Sequence, residues 1–182
     1  ALLPAPWRGD GTILMLEPRR LAARSAAARI AADMGEAPGG TVGYRVRLDS
    51  KVGRATRIEV VTEGIFLRRI QGDPALEGVA AVLFDEFHER SVDADLALAL
   101  TLETRAALRP ELRLVVMSAT LDAAPLLRLI PDAEAIEAEG RMFPVEIRHA
   151  EGASDSPAEI RAADAARRAL AERPGDVLVF LP

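Results

Sequence analysis

Five short apolar, β-rich runs, Thr12 to Leu16, Arg57 to Val61, Val79 to Phe84, Leu112 to Met117 and Val177 to Leu181, alternate with Ala- and Leu-rich stretches of helical length. The clearest of these stretches are Arg19 to Met34, Ala94 to Leu108 and Ile160 to Glu172. Strands that take turns with helices predict an α/β fold whose parallel sheet is covered by helices on both faces. In such sheets ligands bind beyond the carboxyl ends of the strands. Polar motifs follow the apolar runs and so fall on that edge: Glu17-Pro18-Arg19-Arg20, Thr62-Glu63-Gly64, Asp85-Glu86-Phe87-His88 and Ser118-Ala119-Thr120. Pro18 suits the first turn of the first helix, and Gly35 its C-terminal cap.

With 182 residues, 49% of them apolar and 28% charged, the chain reads as globular rather than disordered. No apolar run reaches bilayer length and the N-terminus lacks the features of a signal peptide, so no membrane partner and a cytoplasmic location are expected. The absence of cysteine rules out disulfides and thiolate zinc sites, and the two histidines lie far apart. Any metal is therefore expected to be a hard cation held by oxygen. The net charge of −5 argues only weakly against nucleic-acid binding, since local clusters can still bind. Of the 23 basic residues only Lys51 is lysine, so phosphate contacts fall mostly to arginine.

The run Ala80 to Glu89, AAVLFDEFHE, delivers adjacent carboxylates to the end of an apolar strand. Nucleotide hydrolases use this arrangement to hold magnesium and to aim a water at phosphate. In that role Asp85 holds the metal, through water, while Glu86 polarises the attacking water and accepts its proton. Acidic residues also favour the start of a following helix, which is the plainer explanation. His88 is placed to link such a site to a neighbouring element, although a lone loop histidine is as readily a surface residue. Glu89 and Arg90 are expected to form local ion pairs. Ser118 and Thr120 offer hydroxyls to the neighbouring strand's loop, and turn or capping roles explain them equally well in isolation.

Arg19 and Arg20 stand where a helix begins, although cations are disfavoured there. A bound backbone phosphate shared by the helix N-terminus and both guanidinium groups resolves the conflict; a solvated basic turn is the alternative. Thr62, Glu63 and Gly64 similarly offer a hydroxyl and helix-start amides to a phosphate, or an ordinary cap. Gly43-Tyr44-Arg45-Val46-Arg47 adds alternating arginines and the only tyrosine, a candidate strand face near the same track.

The succession LEPRR, GYRVR, TEG, DEFHER, SAT, GRMFPVEI and VLVFLP, running from Leu14 to Pro182, resembles the DEAH-box branch of the superfamily 2 helicases. LEPRRLAAR, GYRVRLDS and DEFHERS together look most like the bacterial HrpB type of ATP-dependent helicase. The resemblance implies a RecA-like P-loop NTPase fold with ATP and Mg2+ as cofactors. It implies single-stranded nucleic acid, RNA favoured over DNA, as partner. Residues 1–141 become the first RecA-like domain, and residues 142–182 a linker and the first helix and strand of a second. Asp85, Glu86 and His88 become catalytic residues, with Asp85 on the metal. Ser118 and Thr120 become coupling residues, and Arg19, Arg20, Thr62, Glu63 and Gly64 nucleic-acid contacts. Phe87 stands where the family name has alanine, a departure expected to alter packing more than chemistry.

A P-loop needs a Gly-rich turn ending in Gly-Lys-Ser/Thr. Gly39-Gly40-Thr41-Val42-Gly43 has no such lysine, and Lys51 follows Ser50. The expectation is an N-terminally incomplete first domain, its opening ALLPAPW the tail of a helix begun upstream, joined to the remainder of the same polypeptide and inactive when isolated. Two rivals stay open. One is a hydrolysis-dead nucleic-acid or protein interaction module on the same fold. The other is a magnesium hydrolase that uses Asp85, Glu86, His88 and Glu89 directly.

Overall fold

Six strands form one sheet: β1 (Thr12–Glu17), β2 (Val42–Val46), β3 (Asp49–Lys51), β4 (Ile58–Thr62), β5 (Val79–Phe84) and β6 (Arg113–Val116). Their order is β3-β2-β4-β1-β5-β6 in the computed structural model, which describes residues 2–119, 123–138, 140, 143–149 and 156–181. Every neighbouring pair is parallel except β2 and β3, which close an antiparallel hairpin. The hairpin depends on two backbone features. A Cβ at Gly43 would lie 2.4 Å from the Lys51 carbonyl oxygen, so only glycine lets β3 approach. Leu48 takes the turn at φ +67°, a left-handed conformation that is costly for a side-chain-bearing residue.

Helices cover both faces of the sheet, as the doubly apolar strands predict. On one side lies α1 (Arg20–Asp33), whose Ala23, Ala27 and Ala31 repeat every fourth residue and are buried against Val42, Tyr44, Val46 and Val60. Small side chains at that spacing let the helix sit close to the strands. On the other side α2 (Glu63–Gly72) and α3 (Val92–Ala107) enclose Leu14, Leu16, Val61, Val82 and Phe84. Phe66, Phe84 and Phe87 meet edge to face there, with centroids 6.2 and 6.1 Å apart. Burial of each contributes about 1.5–3 kcal/mol before ordering costs are counted.

Local chemistry sets the helix ends. Ser91 caps α3 by accepting a 2.8 Å hydrogen bond from the Ala94 amide, and Asp93 and Asp95 follow in the first turn. Pro18 differs from expectation, since α1 begins at Arg20 with Arg19 as its cap and the proline lies before the first turn. A proline forces its predecessor into extended backbone, and here it prolongs the exit from β1. Gly35, at φ +74°, follows the cap residue Met34 and closes the helix as expected. A short helix, α4 (Ala123–Leu129), follows the segment after β6.

The chain divides into two compact units, Ala1–Glu134 and Ala135–Pro182. The second unit contains α5 (Ala158–Glu172), joined to the segment before it by Arg148–Glu172 at 2.8 Å and by the Arg173–Glu146 pair. The two arginines beside Glu146 hold its carboxyl well below the usual range. Residues 177–181 differ from expectation: they join no strand among the described residues, and their side chains are exposed. An apolar segment becomes a strand only when a neighbour completes its hydrogen-bond ladder.

Candidate nucleotide and nucleic-acid site

Strand register fixes the site. Glu17 pairs with Thr62, Leu16 with Phe84, and Phe84 with Val116, so the carboxyl ends of β4, β1, β5 and β6 lie in sequence along one edge. Pairing continues one step past β5, where the Asp85 amide donates to the Leu16 carbonyl at 3.0 Å. The Met117 amide donates to the Phe84 carbonyl at 2.8 Å, and the Phe87 amide to the Met117 carbonyl at 3.1 Å. The loop carrying Asp85, Glu86 and His88 is thus clamped between the ends of β1 and β6, with Ser118 beside it. Thr120 lies outside the described residues.

The loop itself is held in unusual backbone geometry. Glu86 (φ +50°, ψ 33°) and Arg90 (φ +50°, ψ 58°) both adopt left-handed conformations on either side of a 3-10 turn, Phe87–Glu89. For residues with side chains this costs about 1–2 kcal/mol each, so the surroundings must impose it. Phe87 supplies part of the hold. It is buried, packs edge on against Phe84 and lies under the Arg90 guanidinium at 5.5 Å, so its departure from alanine is absorbed by packing. The Asp85 carboxylate accepts the Glu86 amide at 2.9 Å, which orients both residues.

Glu86 and His88 face each other. His88 Nε2 lies 3.3 Å from Glu86 Oε2, while Nδ1 is buried without a hydrogen-bond partner among the described residues. Glu17, the last residue of β1, joins this group from below. Its carboxyl is pushed up to about 7, first by burial, then by the charge and hydrogen bond of Asp85, and further by Glu86 and Glu89. The motif Glu17-Pro18-Arg19-Arg20 places Glu17 on this edge, as expected, but its contact with Asp85 has no sequence signal, because a carboxylate at the end of LMLE carries no mark of its neighbour until β1 and β5 are paired.

No cluster of three or more metal-ligating side chains occurs among the described residues. The Asp85 carboxylate is nonetheless a donor that fits magnesium, which commonly takes one or two carboxylates and completes its shell with water and phosphate oxygens.

Two of the other polar motifs meet the same loop, through Arg19 and Glu63. Arg19 Nη2 lies 3.1 Å from both Glu89 carboxylate oxygens. Glu89 therefore makes a long-range pair and not the expected local one, whereas Arg90 pairs locally with Asp95 at 2.9 Å. With its carboxylate turned to Arg19, Glu89 is poorly placed for a metal centre built on all four loop residues. Arg20 is exposed at the first position of α1. Thr62 precedes α2, but its hydroxyl does not cap the helix, and Gly64 lies in the first turn with open space where a Cβ would point. The Glu63 carboxylate accepts a 2.6 Å hydrogen bond from Ser91, and burial raises its pKa despite that bond.

Tyr44 does not belong to this surface. It is buried under α1, its hydroxyl donates to Asp49 at 3.0 Å, and Arg24 lies 5.9 Å from its ring, so it cannot stack on a base. Arg45 is drawn instead to the buried Glu59 at 2.8 Å, which Arg69 also contacts at 3.2 Å.

A mostly parallel sheet that gathers a strained Asp-Glu-x-His loop, a Ser-Ala strand end and two helix starts along one carboxyl edge has the arrangement of a RecA-like α/β fold. No protein-family model matches the chain. It is 51% identical over 177 residues to the ATP-dependent RNA helicase HrpB of Escherichia coli, an alignment covering 95% of this chain and 21% of HrpB. It is 38% identical over 176 residues to the ATP-dependent RNA helicase HrpA of the same organism, covering 94% of this chain and 14% of HrpA. The crystal structure of the Escherichia coli DEAH/RHA helicase HrpB superposes with a TM-score of 0.84 at 50% identity, over 95% of this chain and 22% of that one. Over nearly its whole length the chain is thus similar to DEAH/RHA helicases, and it spans about a fifth of the length of HrpB.

Proposed function

We propose that this chain is part of an ATP-dependent RNA helicase and supplies the carboxylate end of its ATP site together with one side of its nucleic-acid track. Residues 1–141 form the part of the first RecA-like domain present here, and residues 142–182 the linker and start of the second. The observation that carries this reading is the convergence of Glu17, Thr62, Asp85 and the β6 end on one sheet edge.

When bound with ATP, Mg2+ neutralises charge developing on the phosphates. Asp85 would hold that ion. Glu86 accepts the proton of the attacking water, its carboxylate aimed by His88 Nε2 and its backbone by the Asp85 carboxylate. His88, Ser118 and Thr120 pass the state of the nucleotide to neighbouring elements. Arg19 and Arg20 at the start of α1, with Thr62, Glu63 and Gly64 at the start of α2, contact the backbone of single-stranded RNA. Glu63 does so through the helix-start backbone, its side chain being engaged by Ser91.

The test is ATP turnover by the full-length protein carrying Glu86→Gln. The amide keeps the shape but cannot accept a proton, so turnover should vanish while nucleotide binding persists. Asp85→Ala should weaken magnesium-dependent binding as well. Near-normal turnover in Glu86→Gln would remove the role given to Glu86.

A further inference from the structure

The loop of residues 85–91 is tied to both nucleic-acid segments by contacts of different strength. At its far end Ser91 donates to Glu63 at 2.6 Å while accepting from the Ala94 amide at 2.8 Å. This partly buried, charge-assisted bond between the cap of α3 and the first residue of α2 is a firm anchor. In the middle of the loop Glu89 grips Arg19 by both carboxylate oxygens, with side chains 35% and 73% exposed. Exposed pairs of this kind are weak, so another anion can displace the carboxylate at little cost. A phosphodiester is such an anion, and arginine grips it as readily as it grips a carboxylate.

We propose that Glu89 occupies the Arg19 guanidinium in place of a nucleic-acid phosphate, and that RNA binding displaces it and so releases the segment that carries His88 to Glu86. This rests on the reading of Arg19 as a backbone contact. Glu89 lies between the two left-handed residues Glu86 and Arg90, and its carboxylate reaches across the chain to Arg19, on the track. Freeing it lets the Glu89 end of the 3-10 turn shift while Phe87, bonded to Met117, and Ser91 stay fixed. Glu89 is then a positioning residue that makes hydrolysis depend on the track being filled, and the signal passes through one ion-pair exchange.

The experiment compares full-length wild type, Glu89→Gln, Arg19→Ala and the double variant, measuring affinity for single-stranded oligouridine and ATP turnover with and without it. Glutamine keeps the size of Glu89 and removes its claim on the guanidinium. Glu89→Gln should bind RNA about two- to five-fold more tightly, the range released by an exposed ion pair. Its RNA-free turnover should rise, and its stimulation by RNA should fall. In the Arg19→Ala background the same substitution should bring no gain in affinity. An equal gain in both backgrounds would mean that Glu89 acts only as a general negative charge, and would overturn the proposal. Unchanged affinity and stimulation in Glu89→Gln, with Arg19→Ala still weakening RNA binding, would also overturn it while leaving the Arg19 contact standing. If Arg19→Ala binds RNA like wild type, the contact itself fails and the exchange falls with it.

Discussion

Glu17 closes β1 and Asp85 follows β5, and the pairing of these two strands sets their carboxyl groups side by side, with the Asp85 amide on the Leu16 carbonyl at 3.0 Å. Burial and the neighbouring acid push the Glu17 carboxyl from 4.5 up to about 7. Its folded-state pKa is therefore raised, and the unfolded chain gives up this proton first. Stability must fall as pH rises from the ordinary glutamate value to about 7, and the penalty is complete above that. Glu17→Gln removes the titration. In metal-free buffer the variant should be more stable than wild type at about pH 8, the advantage shrinking to nothing near pH 4.5. Urea unfolding of both proteins across that range is the measurement, and a difference independent of pH would show that Glu17 is not held protonated.

Replacing Arg19 and Arg20 together with alanine in the full-length protein should weaken single-stranded RNA binding by a similar factor for all sequences, because backbone contacts carry no base information. Each arginine–phosphate interaction lost should also make the dependence of log affinity on log salt shallower by about 0.7. Binding titrations on two unrelated RNA sequences at several salt concentrations test this. A weakening confined to one sequence with an unaltered slope would assign these arginines another task.

The elements that sequence made legible are those whose apolar pattern is self-contained. β1, β4, β5 and β6 are short, mostly apolar runs, and α1 and α3 are long, so their existence follows from periodicity, and their shared edge from the rule that parallel strands joined by crossovers point the same way. β3 has three polar residues, and only its approach to Gly43 makes it a strand. The start of α2 was visible in Thr62-Glu63-Gly64, but its ten-residue span was not, since a helix of that length rests on packing by Phe66, Leu67 and Ile70. At the site, Asp85, Glu86 and His88 are adjacent in sequence and could be read directly. The pairs Glu17 with Asp85, Arg19 with Glu89 and Glu63 with Ser91 join residues far apart in the chain, and nothing in a linear motif specifies them.

Arg109 tests the other edge of the sheet, away from the chemistry. Its guanidinium donates to the carbonyls of Ala75 at 2.9 Å, Leu76 at 3.0 Å and Val79 at 3.0 Å, fastening the end of α3 to the turn that enters β5. Arg109→Ala leaves these carbonyls to water that must enter a partly buried corner, and should cost about 2–3 kcal/mol. Arg109→Lys keeps the charge but not the planar fork, so it should recover only part of the stability. Urea midpoints at unchanged slope measure both effects, and a destabilisation below about 0.5 kcal/mol for alanine, the size typical of an ordinary surface substitution, would show that the fork is ornamental.

The 182-residue chain on its own should show no RNA-stimulated ATP turnover, although it holds Asp85, Glu86 and His88 in place. Phosphoryl transfer is governed by positioning and by charge stabilisation around the phosphates. No Gly-Lys-Ser/Thr sequence occurs in the chain to cradle them. Arginines reaching in from a partner domain are worth roughly 10³–10⁵ in rate where they are used, and a well-aimed Glu86 does not replace them. The assay is purified chain with magnesium, ATP and single-stranded RNA, beside the Glu86→Gln version to expose contaminating activity. Turnover that rises with RNA in the first and is absent from the second would mean that the carboxylate edge alone suffices for hydrolysis.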